Sequence, residues 1–258
     1  MLSASNVSYQ IEKTVLLNDV SVQFGSGKIN LIIGPNGAGK STLIKILAGN
    51  LSGYHGQVKY DQMDLRKCTL EQLARFRAVL SQNIDLGFPL TVREVVMMGR
   101  YPHFNRRPQS IDHQTCFEVM AFFEVDMLAE RNFMTLSGGE RQRVHFARVA
   151  AQIWHPVNDQ SRILILDEPL TFLDIYYQYD LMQKLLQLVK QPNVVVVGVI
   201  HDLNLVSRFA DHVVLMDCGK IVASGTTEKV LTSENLKSVF KIDAVVQSLN
   251  GKTNIWVA

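Results

Sequence analysis

The chain has 258 residues, with 26 Lys and Arg against 24 Asp and Glu and a formal net charge of +2. That balance argues against a protein that wraps nucleic acid, which needs a strongly basic face, and no nucleic-acid partner is expected. Hydrophobic residues, at 47%, support a sizeable core and exclude disorder on a large scale, while charged residues, at 19%, fall below the roughly 25% usual for soluble domains. The longest apolar run, 194–200, is far short of the about 18 residues that cross a bilayer and predicts a buried strand. Met1-Leu2-Ser3-Ala4-Ser5 has neither a basic n-region nor an apolar h-region, so no secretory signal is expected. Cys68, Cys116 and Cys218 lie far apart with no CxxC pair, which fits free thiols rather than a disulfide framework or a zinc site.

In chain order, β-rich runs at 4–9 and 20–24 come first, with Gly25-Ser26-Gly27 as a turn. An almost continuous apolar strand at 29–33 leads into a glycine-rich loop and a helix that runs to about Ala48, where Gly49 and Asn50 supply a stop. From about Leu90 to Gln152 the patterning is helical, carried by Val92, Val95 and Val96, then 117–123, then Val144, Ala147, Ala150 and Ala151. A polar loop over 154–161 precedes further apolar strands at 163–166, 194–200 and 213–216. Strands alternating with helices predict an α/β fold with a parallel sheet covered on both faces, and the strand-free middle predicts an inserted helical subdomain.

The glycine-rich loop Gly34-Pro35-Asn36-Gly37-Ala38-Gly39-Lys40-Ser41 fits G-x-x-x-x-G-K-[ST] between a strand and a helix. Glycines let the backbone curl until successive N–H groups point at phosphate oxygens, and the helix N-terminus adds partial positive charge. Lys40 can reach the β- and γ-phosphates and the Ser41 hydroxyl can face Mg²⁺. The loop alone leaves a small-molecule kinase open; a GTPase is disfavoured because no Asn-Lys-x-Asp occurs.

Two further stretches carry chemistry. Leu136-Ser137-Gly138-Gly139-Glu140 opens a helix and fits equally a plain S-x-x-E capping box and a second anion site, because its glycines bare backbone N–H groups. The strand at 163–166 ends in Asp167 and Glu168, and buried strands rarely end in paired acids unless a cation or a reaction waits there. Asp167 is placed to hold a hydrated Mg²⁺ and Glu168 to orient and deprotonate an attacking water.

Together these motifs resemble the ATP-binding cassette (ABC) family over nearly the whole chain, from Tyr9 to at least Gly225. The resemblance implies a P-loop NTPase fold with a parallel core sheet, an N-terminal antiparallel β subdomain and an inserted helical subdomain. As one nucleotide-binding domain over 1–258, its core would span about 1–86 and 153–258 and its helical part about 87–152. The resemblance makes Gly34–Ser41 the Walker A loop, with Thr42 beside it, 136–140 the signature and 163–168 the Walker B strand. It makes Gln82 the Q-loop glutamine on the Mg²⁺, Leu173-Asp174 the D-loop, His201 the switch histidine and Tyr9 the aromatic that stacks on adenine. It also implies a head-to-tail homodimer, in which each ATP meets Lys40 of one subunit and Ser137, Gly138, Gly139, Glu140 and Asp174 of the other.

Within the family, 95 residues between Ser41 and Ser137 leave no room for the coiled-coil arms of DNA-repair cassettes, and one cassette per chain does not suit translation factors. A soluble cluster-assembly cassette has the right size. The stretch from Phe88 through Pro102-His103 instead resembles importers of iron-siderophores, cobalamin and haem, and Ala150-Ala151-Gln152-Ile153-Trp154 before an extended loop is similar to haem importers. That resemblance implies a transmembrane permease dimer, a periplasmic substrate-binding protein and a peripheral position on the cytoplasmic face of the inner membrane. Leu170 and Phe172 depart from the family pattern near the D-loop.

Overall fold

The computed structural model describes residues 1–81, 87, 89–156, 159–171, 173–249 and 252–257. Strands β1 (Leu2–Ile11) and β2 (Thr14–Phe24) pair antiparallel and bury Leu2, Ala4, Val7, Leu17, Val20, Val22 and Phe24. Both outrun the runs at 4–9 and 20–24, because backbone pairing extends them through the exposed Gln10 and Ile11 of β1 and Thr14 and Val15 of β2. β3 (Lys28–Ile33) leads into helix α1 (Lys40–Leu47). β4 (His55–Tyr60) and β5 (Met63–Asp64) then complete an antiparallel sheet of order β2-β1-β4-β5. Helix α2 (Leu70–Ala74), started by a Thr69/Gln72 capping box, turns the chain into β6 (Arg77–Leu80).

The middle of the chain is helical: α3 (Val92–Met97), α4 (Ser110–Phe122) and α5 (Gly138–Ile153), linked by short 3-10 turns. Its one β contact among the described residues is an isolated bridge between Thr91 and Asn132. β7 (Arg162–Asp167), α6 (Ile175–Leu188), β8 (Val194–Val199), α7 (Leu203–Phe209), β9 (His212–Asp217) and β10 (Lys220–Gly225) follow. They form a six-stranded sheet of order β10-β9-β3-β8-β7-β6, parallel from β9 to β6 with β10 antiparallel at the edge. A hairpin of β11 (Ala244–Leu249) and β12 (Lys252–Val257) packs against α7, its apolar stretches, 244–246 and 255–257, being only three residues each.

Period-2 alternation divides the interior in two. Ile163 and Ile165 of β7, Val195, Val197 and Val199 of β8 and Ile32 of β3 pack with α1 and the antiparallel sheet. Leu164 and Leu166, Val194 and Val196, and Leu31 and Ile33 pack with the helical region, α6 and α7. Helix α5 lies between α3 and α4 on one side and β6 and β7 on the other, which is why it is buried at Val144, Phe146, Ala147, Val149, Ala150 and Ala151.

A buried ion pair fixes the helical region. The Arg100 Nε donates to Asp112 Oδ1 at 2.9 Å, and the Gln109 N–H caps Oδ2 at 2.8 Å. The Arg100 Nη1 reaches the Ala151 carbonyl at 2.8 Å, tying this pair to α5. Truncating one partner strands the other charge in the interior. Asp112→Ala is therefore expected to cost about 3–5 kcal/mol in urea denaturation, and replacing both partners, Arg100→Met with Asp112→Leu, to recover most of it.

Candidate active site

The phosphate-type loop leaves β3 at Gly34 and curls against two neighbours. Gly34 has φ 151°, and a Cβ there would lie 2.2 Å from the Met216 carbonyl of β9. Gly39 has φ 95°, and a Cβ there would lie 2.7 Å from the Leu16 carbonyl of β2. Side chains at either position collide with backbone, so the loop keeps its shape only with glycine. The Gly219 N–H, in the β9–β10 turn, donates to Ala38 O at 3.1 Å, while the Ala38 N–H reaches Pro35 O at 3.2 Å. Asn36 and Gly37 stand exposed at the tip.

Lys40 is the first residue of α1 and is buried, its Nζ donating to the carbonyls of Gly34 and Pro35 at 2.8 Å each. The ammonium thus lies back across the loop. Burial lowers its pKa, and the nearby Glu168 and Asp167 carboxylates oppose that shift. Ser41 and Thr42 follow, half-buried in the first turn of α1. Tyr9 of β1 stands opposite Leu17, whose side chain crowds Gly39, so the half-buried ring belongs to the strand pair that backs the loop.

Parallel register carries the acids to the same edge. Asp167 and Ile32 both pair with Val199, so β7, β8 and β3 finish in one row. The Asp167 Oδ1 is buried without a hydrogen-bond donor, and desolvation first, then Glu168, raises its pKa. A hard, desolvated oxygen with no donor suits a divalent cation held through oxygen ligands. Glu168 adopts a left-handed backbone, φ 51°, and its Oε1 sits 2.8 Å from the His201 Nε2 just beyond β8. Carboxylate and imidazole border a cavity of ≈ 200 Å³ with Thr171, Gln178 and Ile200. A carboxylate hydrogen-bonded to an imidazole beside a polyphosphate cradle is an arrangement for activating water. Gln82 and Phe172 lie outside the described residues.

Ser137 and Glu140 form the capping box of α5: the Glu140 N–H donates to Ser137 Oγ at 3.3 Å, and Glu140 Oε2 accepts from the Ser137 N–H at 2.8 Å. The Ser137 N–H first, and then the Ser137 hydroxyl, which donates to the same Oε2 at 2.9 Å, lower the Glu140 pKa. Lys40 and Ser137 share no hydrogen bond: the lysine bonds to its own loop and the serine to Glu140. Gly138 is exposed and Gly139 faces the Tyr177 ring, 3.6 Å from an added Cβ. Asp174 occupies the N-cap position of α6 without a side-chain cap bond, and it is exposed together with Ile175 and Tyr176. Leu170 is buried with Leu173 in the helical-side core, so the apolar residue at this departure serves packing.

Several supports have no short-range signal, because their partners are distant in sequence or defined only by the folded loop. The Gln142 Nε2 donates to Pro169 O at 2.8 Å, the Thr171 Oγ1 to Glu168 O at 3.0 Å and the Gln178 Nε2 to Leu173 O at 2.9 Å.

Residues 17–171 match the ABC transporter family model. The chain is 41% identical over 246 residues, 95% of its length and 94% of the relative's, to the hemin import ATP-binding protein HmuV of Escherichia coli O157:H7. It is 40% identical over 250 residues, 96% and 94% of the two lengths, to the protein of that name from Agrobacterium fabrum. Among solved structures, it superposes with TM-score 0.83 at 27% identity on an inward-facing protein described as a metal-chelate type ABC transporter, covering 100% of this chain and 96% of that one. A dimeric bacterial ABC transporter cassette matches with TM-score 0.74 at 25% identity, over 88% and 99% of the two chains.

The raised pKa of Asp167 makes a stability prediction. A carboxyl whose folded pKa exceeds its unfolded value contributes fully below the unfolded pKa and loses that contribution as pH rises through the folded one. Without added metal or nucleotide, Asp167→Asn is expected to melt higher than the parent at pH 7. The gap should close as pH falls below the ordinary carboxylate range, as read by thermal denaturation across pH.

Proposed function

The chain belongs to the ABC transporter family, and from that premise we propose that it is the ATP-hydrolysing subunit of an importer that moves haem through a membrane permease. The observation that carries the cargo is the 40–41% identity, over about 95% of the chain, to three curated hemin import ATP-binding proteins. The metal-chelate description of the structural neighbour at TM-score 0.83 is consistent with the same cargo class. Iron-siderophore or cobalamin import is the second reading, since those cargoes are metal chelates too.

In this reading, backbone N–H groups from Gly34 to Gly39 and the N-terminus of α1 bind the ATP phosphates. Lys40 swings from the Gly34 and Pro35 carbonyls to the β- and γ-phosphates. Tyr9 packs on the adenine, and Thr42 supports the phosphate site next to Ser41. Ser41 and Asp167, together with Gln82, would hold Mg²⁺, which would offset charge on the phosphate oxygens. Glu168 accepts a proton from water as its oxygen attacks the γ-phosphorus and the bond to the ADP oxygen breaks. His201, hydrogen-bonded to Glu168, orients that carboxylate toward the water.

The second half of each site comes from another copy. Lys40 makes its hydrogen bonds within its own loop and Ser137 with Glu140, and the exposed Asp174-Ile175-Tyr176 edge suits burial in a homodimer. A head-to-tail pair would bring this edge to a partner's phosphates, an arrangement supported by the likeness to a dimeric cassette. The core at about 1–86 and 153–258 then binds nucleotide, and the helical part at about 87–152 docks the permease dimer, with a periplasmic binding protein delivering cargo. No helix among the described residues is long and apolar enough to cross a membrane. As the motor docked on an importer's permease, the subunit would be peripheral, on the cytoplasmic face of the inner membrane.

Lys40→Ala is expected to abolish ATP-dependent stabilisation in a thermal shift assay. Glu168→Gln should lower turnover about 10²–10⁴-fold while ATP still binds, leaving a dimer that persists in gel filtration with Mg-ATP. In cells, the chain should co-purify with a polytopic membrane protein and support growth on haem as sole iron source. Recovery with soluble scaffold proteins alone would replace the importer with a cluster-assembly role, and growth on a siderophore but not on haem would change the cargo.

A further inference from the structure

Helix α5 carries Ser137 at its tip and, little more than one turn later, Gln142. The half-buried Gln142 side chain crosses from the helical region to the core, its Nε2 donating to the Pro169 carbonyl at 2.8 Å. Pro169 directly follows Glu168, whose left-handed φ of 51° is a conformation that side-chain-bearing residues adopt only when their surroundings hold them there. The two consecutive carbonyls of this turn are both held by side chains. Glu168 O accepts from the Thr171 hydroxyl at 3.0 Å, a bond within the turn, and Pro169 O accepts from Gln142, the bond that reaches out of it. Other contacts place the same part of α5 beside the start of α6: the Arg143 guanidinium lies 5.2 Å over the Tyr177 ring, and Gly139 faces that ring as well. None of these reaches the residues next to Glu168; the Gln142 bond does.

We propose that Gln142 is a positioning residue for ATP hydrolysis, which holds the turn carrying Glu168 in register with the helix tip carrying Ser137. The inference rests on the hydrolytic role of Glu168 proposed above. In a head-to-tail dimer, Ser137 serves the partner's ATP and Glu168 the chain's own. One hydrogen bond would therefore join the two reaction chambers within a single chain, so that seating α5 against one nucleotide sets the carboxylate at the other. Lys40 and its loop, which bind the chain's own nucleotide in this reading, lie on different elements and should keep their affinity when residue 142 changes.

The test compares Gln142→Met, similar in length and unable to donate, with Gln142→Lys, which keeps an N–H donor. Both are assayed by steady-state Mg-ATP hydrolysis on the purified full chain and on its membrane complex. The expected result for Gln142→Met is a kcat about tenfold lower, with KM for ATP within about twofold and a melting temperature lowered by no more than about 4 °C. Gln142→Lys should recover most of the rate. An unchanged kcat in Gln142→Met overturns the proposal, as does a loss that disappears when both proteins are assayed well below their melting temperatures, or one that Gln142→Lys does not relieve. If the parent protein shows no hydrolysis sensitive to Glu168→Gln, the functional reading itself fails, a result distinct from an active parent indifferent to residue 142.

Discussion

Everything in the site depends on parallel pairing at the centre of the large sheet. Because β3, β7 and β8 run the same way and share a register row at Ile32, Asp167 and Val199, the segments that leave them emerge at one edge. The glycine loop, the two carboxylates and His201 are separated by up to 167 residues of sequence and meet only through that alignment. Antiparallel pairing at any one of the three strands would send one of these groups to the opposite end of the sheet. The convergence fits the general tendency of open α/β sheets to place ligands beyond the carboxyl ends of their strands.

Burial then tunes what convergence assembles. Lys40 and Asp167 are oppositely charged and both partly desolvated, so burial moves their pKa values toward one another; Glu168 opposes the shift of Lys40 but reinforces that of Asp167. Such groups favour a ligand that restores the missing charge stabilisation: phosphate oxygens for the ammonium, a cation for the carboxylate. The capping box differs. Ser137 and Glu140 satisfy each other at an exposed helix tip, which gives α5 a defined start before anything binds there.

Much of this was legible in the sequence where chemistry is local. The loop from Gly34 to Ser41, the Asp167-Glu168 pair, the capping box and the strand-free middle each declare themselves within a few residues. The strands at 29–33, 163–166 and 194–200 were legible because burial on both faces makes them continuously apolar. β4, β5, β6 and β10 were not: they are short or polar on one face, and their identity comes from partners elsewhere. The hairpin of β11 and β12 is of the same kind, fixed by its docking against α7. Supports such as the Gly219 N–H behind Ala38 and the Gln142 amide on Pro169 are hydrogen bonds between distant segments, which no window of sequence displays. The capping pattern at Ser137 was ambiguous for another reason: one geometry can both start a helix and receive an anion.

The division of the interior by β7 and β8 carries a consequence for how such a protein diversifies. The sheet acts as a septum. Ile163 and Leu164 are covalent neighbours, yet they pack into separate communities, one with α1 behind the nucleotide loop and one with the helical region. Substitutions on opposite faces share few partners and should combine almost additively. Selection can therefore remodel the packing on the helical side while the packing behind the nucleotide loop stays as it was, and the two faces can diverge at separate rates.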